Sequence, residues 1–320
     1  MNPAVLIVAG LYDFSADLVA LRLTEAGVGF LRLNREHFPD LRFGLDPLAR
    51  TLSVGGPELD ALVGPGLRSV WFRQPVFLRN LPAEGLAPAE QLARSQWAAF
   101  TRSLCVFHDA AWMNHPQRTY VAESKPYQLA LATECGFKVP ETLVGNDAVS
   151  IRTRFPGLLI VKSLDSVLLR DGDDSLFTYS TVADSSELVE SNTAGAPLLA
   201  QRLLDPKMDL RVTIVGKEMF AVRILVDNKG VRGDWRTVSR DRLVYEDVEI
   251  SPSIEKACRA LVDHLGLAFA AIDLIETPEG VFFIEVNPTG EWGWLVTAGR
   301  PIDKAIANWL AEPGCHAAAA

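Results

Sequence analysis

The sequence predicts an α/β protein built from more than one domain. Three observations carry that expectation. The chain opens strand–helix–strand, as an open and partly parallel sheet does. Its 320 residues exceed what a single hydrophobic core usually holds. From Gln117 onward the pattern changes to apolar strands paired across short turns, with isolated charged residues inside them.

Ala4 to Ala9 reads as a short buried strand, Ser15 to Ala26 as a helix stopped by Gly27, and Val28 to Leu33 as the next strand. No GxGxxG follows the first strand, so a dinucleotide site is unsupported. Leu41 to Leu62 looks like short strands joined by Gly-Pro turns. Ser69 to Arg73 is a strand leading to Gln74-Pro75, and Arg73 is either a surface cation or one at an inner sheet edge facing a cleft. Pro88 to Leu104 is a long helix, and Trp112 to Pro116 closes the first region. Glu123 to Cys135 is a helix terminated by Gly136, and Val139 to Leu143 is extended. Leu158 to Lys162 is a buried strand ending in a lysine. The polar stretch Ser163 to Asp174 suits a phosphate-covering lid or an ordinary hairpin tip. Pro197 to Leu204 is a strand. Asp209 to Val215 pairs with Met219 to Val226, placing Arg211 and Arg223 on the two arms. Asp234-Trp235-Arg236 follows a glycine-rich turn. Pro252 to Leu265 is an amphipathic helix ended by Gly266. Trp292 and Trp294 alternate as on a strand, and Pro301 to Leu310 is a closing helix. The tail from Glu312 has little to bury and is expected to be disordered.

The totals exclude several classes. A net charge of −9 with no basic block argues against nucleic acid. No apolar run approaches the roughly 20 residues of a membrane span, and the N-terminus lacks the basic lead-in of a signal peptide. Cys105, Cys135, Cys258 and Cys315 are far apart without a CxxC pair, which fits reduced thiols in a cytoplasmic protein. His108 and His115 lack further partners for a zinc site.

The chemistry concentrates in a late hairpin. Ala270 to Ile275 carries Asp273, the turn Glu276 to Gly280 follows, and Val281 to Ile284 runs into Glu285 and Asn287. The last two are spaced to share one strand face. A carboxylate inside a buried strand is costly unless paired or metal-bound. Asp273, Glu285 and Asn287 offer hard oxygen ligands only, which suits Mg²⁺; the alternative is a hairpin whose carboxylates meet a nearby Arg or face water. Lys125 and Lys162 can meet phosphates as point charges, and Arg211 can clamp a carboxylate through two parallel bonds. These are the parts for phosphorylating a carboxylate with a nucleoside triphosphate. Neither a Walker A sequence nor a kinase glycine loop is present.

In order along the chain stand Asn114-x-Pro116, Ser124-Lys125, Gly136-x-x-Val139-Pro140-x-Thr142, Lys162, Asp209-x-Arg211, Asp273 and Glu285-x-Asn287-Pro288-x-Gly290. Together they resemble an ATP-grasp ligase of the RimK-like branch. Arg32-Leu33-Asn34, Val70 to Arg73, Asp234 to Arg236, Gly290-x-Trp292-x-Trp294 and Gly299-x-Pro301-Ile302-x-x-Ala305-Ile306-Ala307 resemble, within it, the maturases of graspetides, the microviridin-type ribosomal peptides. The resemblance runs from residue 4 to about 311. It implies a pre-ATP-grasp domain (1–117), a central domain (118–196) and a C-terminal ATP-grasp domain (197–312), with a tail at 313–320.

It also implies roles. Lys125 and Lys162 would bind ATP phosphates, and Gln201, Arg202, Leu203 and Leu204 would form the hinge against adenine. Asp273, Glu285 and Asn287 would hold Mg²⁺. Asp209 and Arg211 would act in catalysis, Asp209 by orienting Arg211 or touching the ribose. Asp234 and Arg236 would lie near substrate, and Arg73, Arg211 and Arg223 would meet it. The reaction implied is ATP-dependent closure of a ring in a precursor peptide, between an Asp or Glu side chain and a Ser, Thr or Lys. The resemblance also implies that binding of a leader segment would switch the enzyme on and that the enzyme would be a homodimer. The alternatives are a RimK-like ligase adding a free amino acid and a non-catalytic nucleotide- or peptide-binding scaffold. Two positions depart from the family pattern. Arg202 stands where many relatives are acidic. Glu291 stands where Gln is usual, and would either alter the metal number or face water.

Overall fold

The structure is a computed structural model. It describes residues 1–57, 59–73, 87–165, 168–171, 174–297 and 299–313. Gln74-Pro75, Cys315 and the tail from 314 therefore lie outside the described residues.

The first region is the expected partly parallel sheet. It runs β1 (Val5–Ala9), α1 (Phe14–Glu25), β2 (Phe30–Asn34), β3 (Arg42–Asp46), β4 (Thr51–Gly55), β5 (Asp60–Val63), β6 (Ser69–Phe72), α2 (Pro88–Ser103) and β7 (Ala111–Met113). The parallel order is β2-β1-β6-β7, and β3-β4-β5 form a separate antiparallel sheet. Asp13 starts α1 by accepting from Ala16 N at 3.0 Å. One face of the parallel sheet packs Leu6, Val8, Val70 and Phe72 against Phe38, Leu52 and Leu104.

The middle region follows with α3 (Pro116–Ala122), α4 (Lys125–Glu134), β8 (Thr142–Gly145), α5 (Ala148–Arg154), β9 (Leu158–Lys162), β10 (Leu168–Asp171), β11 (Asp174–Phe177), β12 (Thr181–Asp184), α6 (Glu190–Thr193) and β13 (Leu198–Arg202). Strands β12-β9-β13-β8 make an antiparallel sheet, and the polar stretch after Lys162 pairs β10 with β11 as a hairpin. Helices α3 and α5 were not foreseen. Both are only seven residues long, too short to show a period.

The last region holds β14 (Met208–Val215), β15 (Glu218–Val226), β16 (Leu243–Asp247), α7 (Pro252–Leu265), β17 (Phe269–Thr277), β18 (Gly280–Asn287), α8 (Gly293–Thr297) and α9 (Ile302–Ala311). Its sheet order is β16-β15-β14-β17-β18. Helix α7 has both expected ends: Pro252 in its first turn after Ser251, and Gly266 left-handed at φ +64°. Its apolar face, with that of α4, covers one side of the sheet. The other side shares a single core with the first region. Val5, Ile7, Trp71 and Met113 meet Val215, Val222, Trp292, Ile302 and Ile306 there. The segment around Trp292 is not a strand as expected: Trp292 is fully buried just before the short helix α8, which carries Trp294.

Candidate active site

The middle and last sheets face each other across a cavity of about 620 Å³, its open mouth included. One end is apolar, with Pro140, Ile160, Leu203, Leu204, Ile275 and Ile284. The other end is charged, with Lys162, Asp234, Arg236, Asp273 and Glu285.

Strand register builds the charged end. Arg211 on β14 lies opposite Asp273 on β17, and Asp273 lies opposite Glu285 on β18. Between Asp273 and Leu274 the register shifts, leaving Ile284 as the extra residue of a β-bulge. The bulge lets Phe283 and Val286 point into the core beneath α4 and α7 while Glu285 faces Asp273. Bulge and alternation together put Arg211, Asp273, Glu285 and Asn287 on one face.

The carboxylates are paired. Arg211 Nη1 donates to Asp273 Oδ1 at 2.6 Å. Arg236 Nη2 donates to Asp273 Oδ2 at 2.6 Å and to Glu285 Oε1 at 3.0 Å. Asn287 Nδ2 lies 3.3 Å from Glu285 Oε1 and 3.5 Å from Asp273 Oδ2. Burial works to raise the Glu285 carboxyl, but Arg236, Lys162 and Lys125 outweigh it and hold that group below its ordinary range. Burial keeps Asp273 raised in spite of its two arginines, and Glu285 adds to the rise. Burial also pushes the Lys162 ammonium down against the pull of Glu285 and Asp234. Arg236 lies 5.1 Å above the Trp235 ring and is steadied by Asp234, which also accepts from Ser180 N at 3.2 Å.

The other expected residues fall as follows. Gln201, Arg202, Leu203, Leu204 and Asp209 all line the cavity. Gln201 Nε2 bonds Thr142 Oγ1 at 2.9 Å. Arg202 pairs with Glu279 at 3.1 Å and covers the Phe282 ring. Lys125 does not line the cavity; its Nζ donates to Leu164 O at 3.0 Å, just beyond Lys162. Asp209 does not pair with Arg211. Its partner is Lys207, whose Nζ donates to both carboxylate oxygens, and burial raises the Asp209 carboxyl to about 6. Lys207 was missed in the sequence, although Lys207-x-Asp209-x-Arg211 has one-face strand spacing. Arg223 lies opposite Leu210, hence on the face away from Arg211, and pairs with Glu276 at 2.8 Å. It does not join the cavity.

Arg73 is buried, not on the surface. It bonds Asp13 at 3.0 Å, Thr289 O at 3.1 Å and Glu291 at 2.7 Å. Glu291 therefore neither joins the acidic set nor simply faces water. Its carboxylate goes to Arg73 and Ser15, and its carbonyl accepts from Arg211 Nη2 at 3.1 Å. Asn114 completes this joint by donating to Pro288 O and Phe269 O.

Among the described residues no three His, Cys, Asp or Glu side chains are gathered as metal ligands. Two carboxylates and one amide still fit a magnesium ion. They are hard donors on one face, and the two carboxylates already share a cation, the Arg236 guanidinium.

No family model matches the chain. Solved structures do match nearly all of it. The RiPP-associated ATP-grasp ligase of Chryseobacterium gregarium, solved with ADP and a leader and core peptide, is 25% identical, with TM-score 0.83 over 98% of this chain and 97% of that one. Macrocyclase MdnC of Microcystis aeruginosa, bound to its precursor peptide MdnA, is 22% identical, with TM-score 0.83 over 97% and 99%. The chain has the ATP-grasp fold. Over 84 residues, 26% of its length, the chain is also 31% identical to tetrahydromethanopterin:alpha-L-glutamate ligase of Methanocaldococcus jannaschii. That stretch spans only 28% of the ligase's length. Among the described residues of the ATP-grasp chain, no helix is long and apolar enough to cross a membrane.

Proposed function

We propose that the protein is an ATP-dependent macrocyclase of a ribosomally made precursor peptide. The observation that carries the reading is the meeting of Lys162, Arg236 and the Asp273–Glu285 pair in one cavity, in a chain that follows a peptide-bound ATP-grasp ligase over 98% of its length. In this reading the apolar end takes the base of ATP against the 201–204 segment. Lys162 and Lys125 meet phosphate oxygens, and the half-buried position of Lys162 strengthens that attraction. Asp273, Glu285 and Asn287 would hold magnesium, which when bound draws charge off the phosphates. Arg211 and Arg236 receive the peptide's acidic side chain; the buried Arg211 Nε–H has no partner among the described residues and can serve that anion. The carboxylate attacks the terminal phosphorus to give an acyl phosphate as ADP leaves, and a Ser or Thr hydroxyl or a Lys amine then attacks the acyl carbon, losing its proton as phosphate departs. Binding of a leader, a homodimer, the three-domain division at 117 and 196, and a cytoplasmic site belong to the same reading.

The test is mass spectrometry of any short acidic, Thr-rich peptide whose reading frame neighbours this one, incubated with protein, ATP and Mg²⁺. One water lost per ring is expected, and an unchanged mass overturns the cyclase. A second reading, addition of a free amino acid, is favoured by the glutamate-ligase match; it requires a gain in mass.

A further inference from the structure

We propose that Arg236 is an exchangeable counter-ion. Its guanidinium pairs the two acidic residues until a divalent metal displaces it, and it is then free to hold an anion of the substrate. This deepens the proposed function and rests on its metal site.

The geometry separates the two arginines. Both Asp273 oxygens are engaged, Oδ1 by Arg211 and Oδ2 by Arg236, and Arg236 also holds Glu285 Oε1. Arg211 belongs to the sheet. It sits opposite Asp273 in register, is 5% exposed, and is tied to Glu291 O. Arg236 stands outside the sheet, on the short turn Trp235–Thr237, and is 31% exposed. Its other support is Asp234 at 3.4 Å and the face of Trp235. Of the two cations that neutralise the buried pair, only Arg236 can swing away without bending a strand.

A magnesium ion needs carboxylate oxygens at about 2.0–2.1 Å. A guanidinium left at 2.6 Å and 3.0 Å from the same oxygens would put two cations side by side in a poorly screened cavity. Metal and Arg236 therefore compete for Asp273 and Glu285. By linkage, whatever releases Arg236 raises the affinity of the cavity for a carboxylate, and the reverse. Metal and nucleotide therefore strengthen binding of the peptide's acidic side chain, and that side chain strengthens theirs.

Mn²⁺ is the probe, titrated by its free EPR signal into wild type and Arg236→Gln, each with and without ADP. Without nucleotide, Arg236→Gln should bind Mn²⁺ about tenfold tighter than wild type, because no cation has to leave. Its melting temperature should fall below wild type without metal and recover with Mn²⁺ and ADP. Equal or weaker Mn²⁺ binding by a folded Arg236→Gln overturns the proposal while leaving the nucleotide site intact. Failure of wild type to bind Mn²⁺ even with ADP overturns both. Should the variant not fold, a crystal structure of wild type with Mn²⁺ and ADP decides. Arg236 displaced from Asp273 or Glu285 supports the exchange, and Arg236 still spanning both beside a bound metal overturns it.

Discussion

The two walls of the cavity are built differently. The last sheet is fused to the first region through one core and through Arg73 and Asn114, which grip the Pro288–Glu291 segment. Its charged groups are paired before any ligand arrives. The middle sheet rests on a smaller core of Ile151, Phe155, Leu159, Leu188 and Ala200. It contributes Lys162, which makes no hydrogen bond or ion pair among the described residues. One wall thus holds its charges in direct ion pairs, and the other brings a cation without a hydrogen-bond partner, drawn only across the cavity toward Glu285 and Asp234. A triphosphate would join them.

The sharpest way to break this contrast is to remove an acidic residue from the fixed wall. Glu285→Ala should lower ATP turnover by more than the roughly 10–100-fold typical of losing a group that merely orients a metal ligand. Turnover by a coupled ADP assay within tenfold of wild type would refute the metal assignment. Next in size is a pair of variants compared by urea unfolding. Arg211→Met leaves the buried Asp273 carboxylate with Arg236 alone and should cost about 1.5–3 kcal/mol. Lys162→Met removes a cation that burial already disfavours, so stability should hold or rise while ATP affinity falls. Equal destabilisation by the two would erase the distinction between the walls.

The fixed wall was also the part most legible in the sequence. Asp273 and Glu285 announced themselves because a carboxylate inside an apolar strand demands a partner, and the i, i+2 spacing gave Glu285 and Asn287 a common face. The bulge at Ile284 was hidden, since the run Val281–Ile284 has no alternation to interrupt. Arg236 as the partner of both carboxylates was hidden too, because that contact depends on how a loop folds back over the sheet. The same holds for Glu291, whose partner Arg73 is 218 residues away. Arg223 misled because two arms of a hairpin do not imply one face; a register offset of one residue reverses it.

The Lys207–Asp209 pair offers a pH test of the fixed wall. The folded Asp209 carboxyl titrates at about 6 against an ordinary 3.8, so the native state binds its proton more tightly than the unfolded chain. That contribution to stability is complete below about pH 3.8 and lost as pH rises through 6. The loss is about 3 kcal/mol. Relative to Asp209→Asn, wild type should weaken by that amount between pH 4 and 7, and parallel curves would show that Asp209 is not held protonated. A smaller effect is expected at Gly290, where an added Cβ would lie 2.7 Å from Ala271 Cβ and 3.0 Å from Arg211 Nη2. Gly290→Ala should cost about 1–3 kcal/mol and disturb Arg211. A variant with wild-type stability and turnover would mean that this segment yields easily.

The least perturbing probe needs no substitution. Cys258 is fully buried in α7 beneath the last sheet, and burial pushes its thiol up to about 12. The thiolate is the reactive form, so in native protein near pH 8 Cys258 should resist a maleimide that labels the half-buried Cys105 and Cys135. Its labelling rate then reports opening of the fixed wall alone. Adding Mg²⁺ and ADP stabilises the folded state by mass action, so the rate should fall if Cys258 is reached only through global unfolding. It should stay constant if the last sheet opens locally while the ligand remains bound. Mass spectrometry of the labelled peptides distinguishes the two, and early labelling of Cys258 without ligand would show that this wall is not the rigid one.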